Sequence, residues 1–136
     1  MSTHLQRDIS TLHNDLLSMY AIVEGMIQIA VDGLTNPRAD IAETLRQRDN
    51  EIDAWDVRIE DECLKVLALH QPVANELRRV TSVLKITGEL ERVADLSVHI
   101  AERTGDTMFT DVGVPASLQR MASIAGDMLR RSISAY

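Results

Sequence analysis

The sequence predicts an all-α protein, an antiparallel three-helix bundle followed by a fourth helix. Three observations carry this. Apolar residues recur in alternating steps of three and four along most of the chain. The three prolines fall only between those rows. Aromatic residues make up only 3% of the chain, so the core must come from Leu, Ile, Val, Met and Ala, which suits helix-on-helix packing.

The first row is Ile9, Leu12, Leu16, Met19, Val23, Met26 and Ala30. It is a heptad seam and predicts one long helix facing partner helices. Asp32-Gly33 and then Asn36-Pro37 end it, with Asn36 placed to cap a second helix that has Pro37 at its first position. The second helix is predicted from about Pro37 to Leu69, on the seam Ile41, Leu45, Ile52, Trp55, Ile59, Cys63 and Val66, interrupted by Arg48. His70-Gln71-Pro72 breaks it, because a proline disfavours helical backbone in the residue before it.

A third helix then carries Leu77, Val80, Leu84, Leu90, Val93 and Ile100, with Gly88 as its weak point and Gly105 as its stop. Residues 105–114 read as a linker, and Pro115 opens a fourth helical pattern that runs to Tyr136. Helices of about 30 residues are roughly 45 Å long. Short connections make neighbours antiparallel, giving an up-down-up bundle over residues 1–104.

The fourth pattern repeats the first. At an offset of 102 residues, Leu16 falls on Leu118, Met19 on Met121, Ile22 on Ile124 and Met26 on Met128. Ile27 then meets Leu129 and Val31 meets Ile133. Two amphipathic helices align somewhere by chance. The preferred reading is a tandem duplication in which residues 115–136 are the first helix of a second unit that is cut short. The apolar stripe of that helix is expected to pack on the bundle or against another copy.

Charge and cysteine usage exclude several classes. The formal net charge of −7 argues against non-specific nucleic-acid binding and against a polybasic membrane-surface site. Cys63 is the only cysteine, so no intrachain disulfide forms, which fits a reducing compartment. No unbroken apolar run approaches the roughly 18–20 residues of a spanning helix, and no signal-peptide stretch opens the chain. The expectation is a cytoplasmic protein without membrane insertion. No catalytic triad, phosphate loop or metalloprotease helix is present in the sequence, so the expectation is also a protein that is not an enzyme.

The candidate site is acidic. Asp49 with Asp53, and Glu91 with Asp95, each place two carboxylates at i and i+4 on one helix face, a spacing at which like charges repel. Both pairs are centred on Pro72. A hairpin folded there brings Asp49 level with Asp95 and Asp53 level with Glu91. Such a group must hold protons, take basic partners such as Arg48 or Arg92, stay splayed in water, or bind cations. Oxygen ligation suits hard ions such as magnesium, manganese or oxidised iron. His99 lies on the same stripe and would add an imidazole, which suits zinc or iron; Asp56 and Glu60 extend the stripe of the second helix.

From Asp49 through Glu102 the chain resembles the PhoU family. The resemblance runs through the acidic pair DNEID, the turn ECLKVLALHQPVA and the third-helix segment LKITGELERVADLSVHIAE; the first helix agrees more loosely. It implies a fold of two tandem three-helix units, each with paired acidic motifs. The matching positions here are Asp49 with Asp53 and Glu91 with Asp95. It also implies iron or other divalent ions on those motifs, a partnership with the phosphate ABC transporter's ATPase subunit and with a sensor histidine kinase, and repression of phosphate-starvation signalling when phosphate is plentiful. A homodimer or other homo-oligomer is expected. His99 stands where such sequences usually carry Asn. Two other readings stay open: a PhoU-like module associated with a sodium–phosphate transporter or another regulator, and a carboxylate-bridged metal enzyme.

Overall fold

The computed structural model describes residues 3–105 and 113–136; most of the expected linker, residues 106–112, lies outside the described residues. The described chain forms four helices in order: α1 (Thr3–Thr35), α2 (Ile41–His70), α3 (Ala74–Thr104) and α4 (Ala116–Ala135). The protein is all-α, and no strand occurs among the described residues. Helices α1, α2 and α3 pack mutually as an up-down-up bundle, and α4 leans on α1.

The α1 row is buried from end to end, and Leu16, Met19, Val23 and Met26 are fully enclosed. Among the described residues, α1 is the one helix long and apolar enough, by length and composition, to cross a membrane. No unbroken apolar run is needed for that. Its apolarity follows from its place as the central helix, with α2, α3 and α4 all packed on it.

The start of α2 differs from the sequence expectation. The Asn36 backbone N–H donates to the Asp32 carbonyl at 2.9 Å and closes the last turn of α1, and Asp40, not Asn36, stands at the N-cap position of α2. The next helix begins four residues beyond Pro37, at Ile41. Gly33 leaves room for the Ile41 side chain at the corner: a Cβ there would meet its Cδ1 at 2.9 Å and displace it. The predicted α2 seam is otherwise buried, with Trp55 half-buried at its rim. Arg58 covers the Trp55 ring at 4.9 Å and reaches towards the buried Asp15 of α1, Nε to Oδ2 3.8 Å.

In α3 the predicted row holds in its middle, with Val80 and Leu90 buried and Leu84 and Val93 packed against the core, and fails at its ends. Leu77 and Ile100 are exposed, while Val83, Thr87, Ala94, Ser97, Val98, Ala101 and Thr104 join Val80 and Leu90 inside. The buried hydroxyls are satisfied locally. Thr87 donates to the Val83 carbonyl at 2.7 Å, Ser97 to Val93 at 3.1 Å and Thr104 to Ile100 at 2.7 Å. Small side chains and turned-back hydroxyls let α3 approach α1 and α2 closely. Gly88 faces open space on this helix. Gly88→Ala is therefore expected to stabilise the protein by about 0.5–1 kcal/mol, read from the midpoint of a urea melt.

Helix α4 runs antiparallel to α1, with Arg130 3.8 Å from Glu24 and the Tyr136 ring stacked on His13 at 5.2 Å. Leu129 and Ile133 pack partly on the core, yet no α4 residue is fully buried. Tyr20, Glu24 and Ile27 of α1 face Ala122, Gly126 and Leu129 of α4 across a shared groove. These are residues related by the offset of 102. The helix thus packs on the bundle through one face and leaves Leu118, Met121, Ile124 and Met128 open.

Candidate functional site

The acidic ridge is built by the α2–α3 hairpin. On α2, Asp49, Asp53, Asp56 and Glu60 follow one another at helical spacing; on α3, Glu91, Asp95 and His99 do the same. The turn at 71–73 folds the two stripes side by side. An ion pair between Arg46 and Glu102, 3.2 Å apart, ties the hairpin at its far end.

The electrostatics show which groups meet. The Asp49 carboxyl is held above its ordinary value by partial burial, then by the charges of Asp53 and Asp95, with His99 opposing. The Glu91 carboxyl is also raised, first by desolvation, then by the charge of Asp56 and a hydrogen bond with it, and further by Asp53 and Asp49. Asp49 thus feels Asp95 and His99, and Glu91 feels Asp56, Asp53 and Asp49; symmetry about Pro72 sets Asp49 level with Asp95 and Asp53 level with Glu91, while Asp56 stands three residues nearer the turn. Asp56 is a closer companion of Glu91 than its place at the end of the stripe suggested. Its spacing of three from Asp53 was the available signal.

Neither suggested basic partner neutralises the ridge. Arg92 turns to Glu89 at 3.9 Å, and Arg48 lies beside Ala21, Ile22 and Gly25 of α1. Among the described residues no ion pair engages Asp49, Asp53, Asp56 or Glu91. Asp95 has His99 at 3.8 Å, and both side chains are exposed. As the side chains stand, no three Asp, Glu, His or Cys groups among the described residues converge into a set that could hold a metal ion. The arrangement is an open ridge of oxygen donors with one imidazole. Oxygen donors of this kind suit hard cations, and as they stand they form no closed cage.

The family match to known proteins includes this hairpin. The family description "PhoU domain" matches residues 16–104, which take in α1 from Leu16 onward, α2 and α3. The chain belongs to the PhoU family. Three relatives show how the likeness is distributed. A "Phosphate-specific transport system accessory protein PhoU homolog" of Deinococcus radiodurans is 41% identical over 102 residues, 75% of this chain and 48% of that protein. One of the same name from Aquifex aeolicus is 32% identical over 99 residues, 73% of this chain and 45% of its own length. The "Phosphate-specific transport system accessory protein PhoU" of Edwardsiella tarda is 27% identical over 137 residues, 99% of this chain and 56% of its own length. The chain spans about half the length of the curated relatives it matches. In this PhoU chain both acidic pairs lie inside the matched region.

Cys63 belongs to the core rather than to the site. It is fully buried, its Sγ faces the Val80 carbonyl at 4.0 Å, and burial with nearby Glu60 and Glu62 pushes the thiol up to about 11. Alkylation by iodoacetamide at pH 8 is expected to be negligible in the native protein and complete in guanidinium, as followed by intact mass.

Proposed function

We propose that this PhoU chain is a non-enzymatic accessory protein of phosphate-specific transport. On this reading it is a cytoplasmic adaptor that contacts the transporter's ATPase subunit and a sensor histidine kinase, and it restrains phosphate uptake and starvation signalling when phosphate is plentiful. The observation that carries the reading is the family match over α1–α3, supported by relatives whose names place them in the phosphate-specific transport system. The unneutralised ridge of Asp49, Asp53, Glu91 and Asp95 supports a metal-binding role, with His99 and Asp56 beside it. When bound, a hard cation would supply positive charge that relieves the repulsion between α2 and α3 and stiffens the hairpin. Asp49 and Asp95 would hold it at one level, and Asp53 and Glu91 at the next.

The same reading takes α4 as the first helix of a second unit. Its support is that α1 and α4 meet through residues related by the offset of 102. The unused apolar face of α4 then invites another helix or a second copy, giving a homo-oligomer. Titration of the purified cognate ATPase subunit and kinase against the protein, followed by light scattering and calorimetry, tests the adaptor role. Saturable binding to at least one of them is expected, and binding to neither overturns it.

A further inference from the structure

The tip of the α2–α3 hairpin carries side chains that the bundle does not use. Leu69 is 76% exposed and Val73 is 72% exposed, and Leu64 and Leu77 lie open on the adjoining turns. Apolar side chains at such exposure next to one another cost solubility unless something covers them.

The turn between them is held in a demanding conformation. Gln71 has φ 44° and Ala74 has φ 51°, and both are L-residues in the left-handed region that favours glycine. A strained backbone persists only when its surroundings over-determine it. Here the Gln71 N–H donates to the Leu67 carbonyl at 3.2 Å, Pro72 is buried, and His70 Nε2 lies 2.8 Å from Asp8 Oδ2 of α1. Between the two left-handed residues Val73 is extended, which turns its side chain out to water. The tip is thus pinned to the bundle while it presents apolar groups outward.

Its charge is opposite to that of the chain. Within residues 64–79 the cations are Lys65, Arg78 and Arg79, and the only carboxylate is Glu76, in a protein of net charge −7. Among the described residues no ion pair engages Lys65, Arg78 or Arg79, and all three are exposed.

We propose that this tip is a preformed docking knob for a protein partner that offers an apolar socket with an acidic rim. Leu69 and Val73 enter the socket, and Lys65 and Arg78 meet the rim. A protein socket fits better than a lipid surface, because a lipid surface has no use for a backbone strained into one shape. Preorganisation of this kind strengthens association by sparing the ordering cost on binding, and the cations speed encounter and fix register. The inference rests on the adaptor reading above and names the surface by which the adaptor engages its partner.

The test measures affinity for the purified ATPase subunit and kinase with four proteins: wild type, Leu69→Ser/Val73→Ser, Lys65→Glu/Arg78→Glu, and Asp53→Ala/Glu91→Ala. The tip positions are exposed, so the first two variants should melt like wild type. The expected result is a loss of roughly tenfold or more in affinity for one partner with each tip variant, the size of one or two interface hot-spot contacts. The ridge variant should lose less than the tip variants for that partner, and wild-type binding should weaken as salt rises. If wild type binds and the tip variants bind equally well, the knob is wrong while the adaptor reading stands. If wild type binds neither partner, both fall. Binding of the tip to phosphatidylglycerol vesicles, lost in the tip variants and without partner binding, would overturn it in favour of a lipid surface.

Discussion

Met26→Ala is expected to lower the unfolding free energy by about 2–5 kcal/mol, while Met128→Ala should change it by less than about 0.5 kcal/mol. The two methionines occupy equivalent places in helices related by the offset of 102. Met26 is fully enclosed between α1 and its neighbours, whereas Met128 is 64% exposed on α4, beside an open groove shared with Leu96 and Ile100 of α3. Truncating Met26 removes apolar atoms and leaves a cavity that close-packed helices fill only in part. Truncating Met128 removes side-chain area that is already mostly in water, and alanine is the better helix former. A loss of 2–5 kcal/mol is a large share of the 5–15 kcal/mol typical of a domain. Urea melts of both variants at several protein concentrations check this. A large cost at Met128 that shrinks with dilution would show that the α4 face is covered by a second copy in solution.

The same contrast explains how much of the fold was legible. The α1 seam was readable because its buried residues are also its largest and most regularly spaced. The hairpin break was readable because Pro72 forbids the preceding helical backbone. The α3 core was legible only in part, through Val80, Leu84, Leu90 and Val93. A search for large apolar residues finds Leu77 and Ile100, but close approach to two helices at once selects Ala94, Ser97 and Ala101, which carry little hydropathy signal. The start of α2 differs because Asn36-Pro37 has the composition of a cap, while Asn36 still belongs to the last turn of α1 and the helix begins only after Asp40. In the site, heights along the hairpin followed from counting residues away from Pro72. The direction of each carboxylate did not, which is why the pairing of Asp56 with Glu91 emerged only from the packed helices. The docking tip was hidden for the same reason: Leu77 reads as core until the turn is seen to carry it to the end of the bundle.

The acidic ridge gives the second large effect, and its sign depends on metal. With chelator present, Asp49 and Glu91 bind protons more tightly in the folded protein than in the unfolded chain. Their contribution to stability is fully present below the ordinary carboxylate value of about 4. It is lost as pH rises through their raised folded-state values. Metal-free Glu91→Gln should therefore be more stable than wild type at neutral pH by a few tenths of a kcal/mol, the scale of like-charge pairs on solvated helices. That advantage should vanish as pH falls towards 4. A bound cation reverses the order, because it stabilises only the protein that holds it, by about 2.7 kcal/mol at a hundredfold excess over its dissociation constant. Protein purified without chelator or affinity tag should carry iron, zinc, manganese or magnesium by elemental mass spectrometry, and Asp53→Ala/Glu91→Ala should lose it. If neither protein takes up metal on reconstitution, but the pH-dependent advantage of Glu91→Gln persists, the ridge is a solvated acidic face. The repulsion it stores is then available for relief by a cationic surface of a partner instead of an ion.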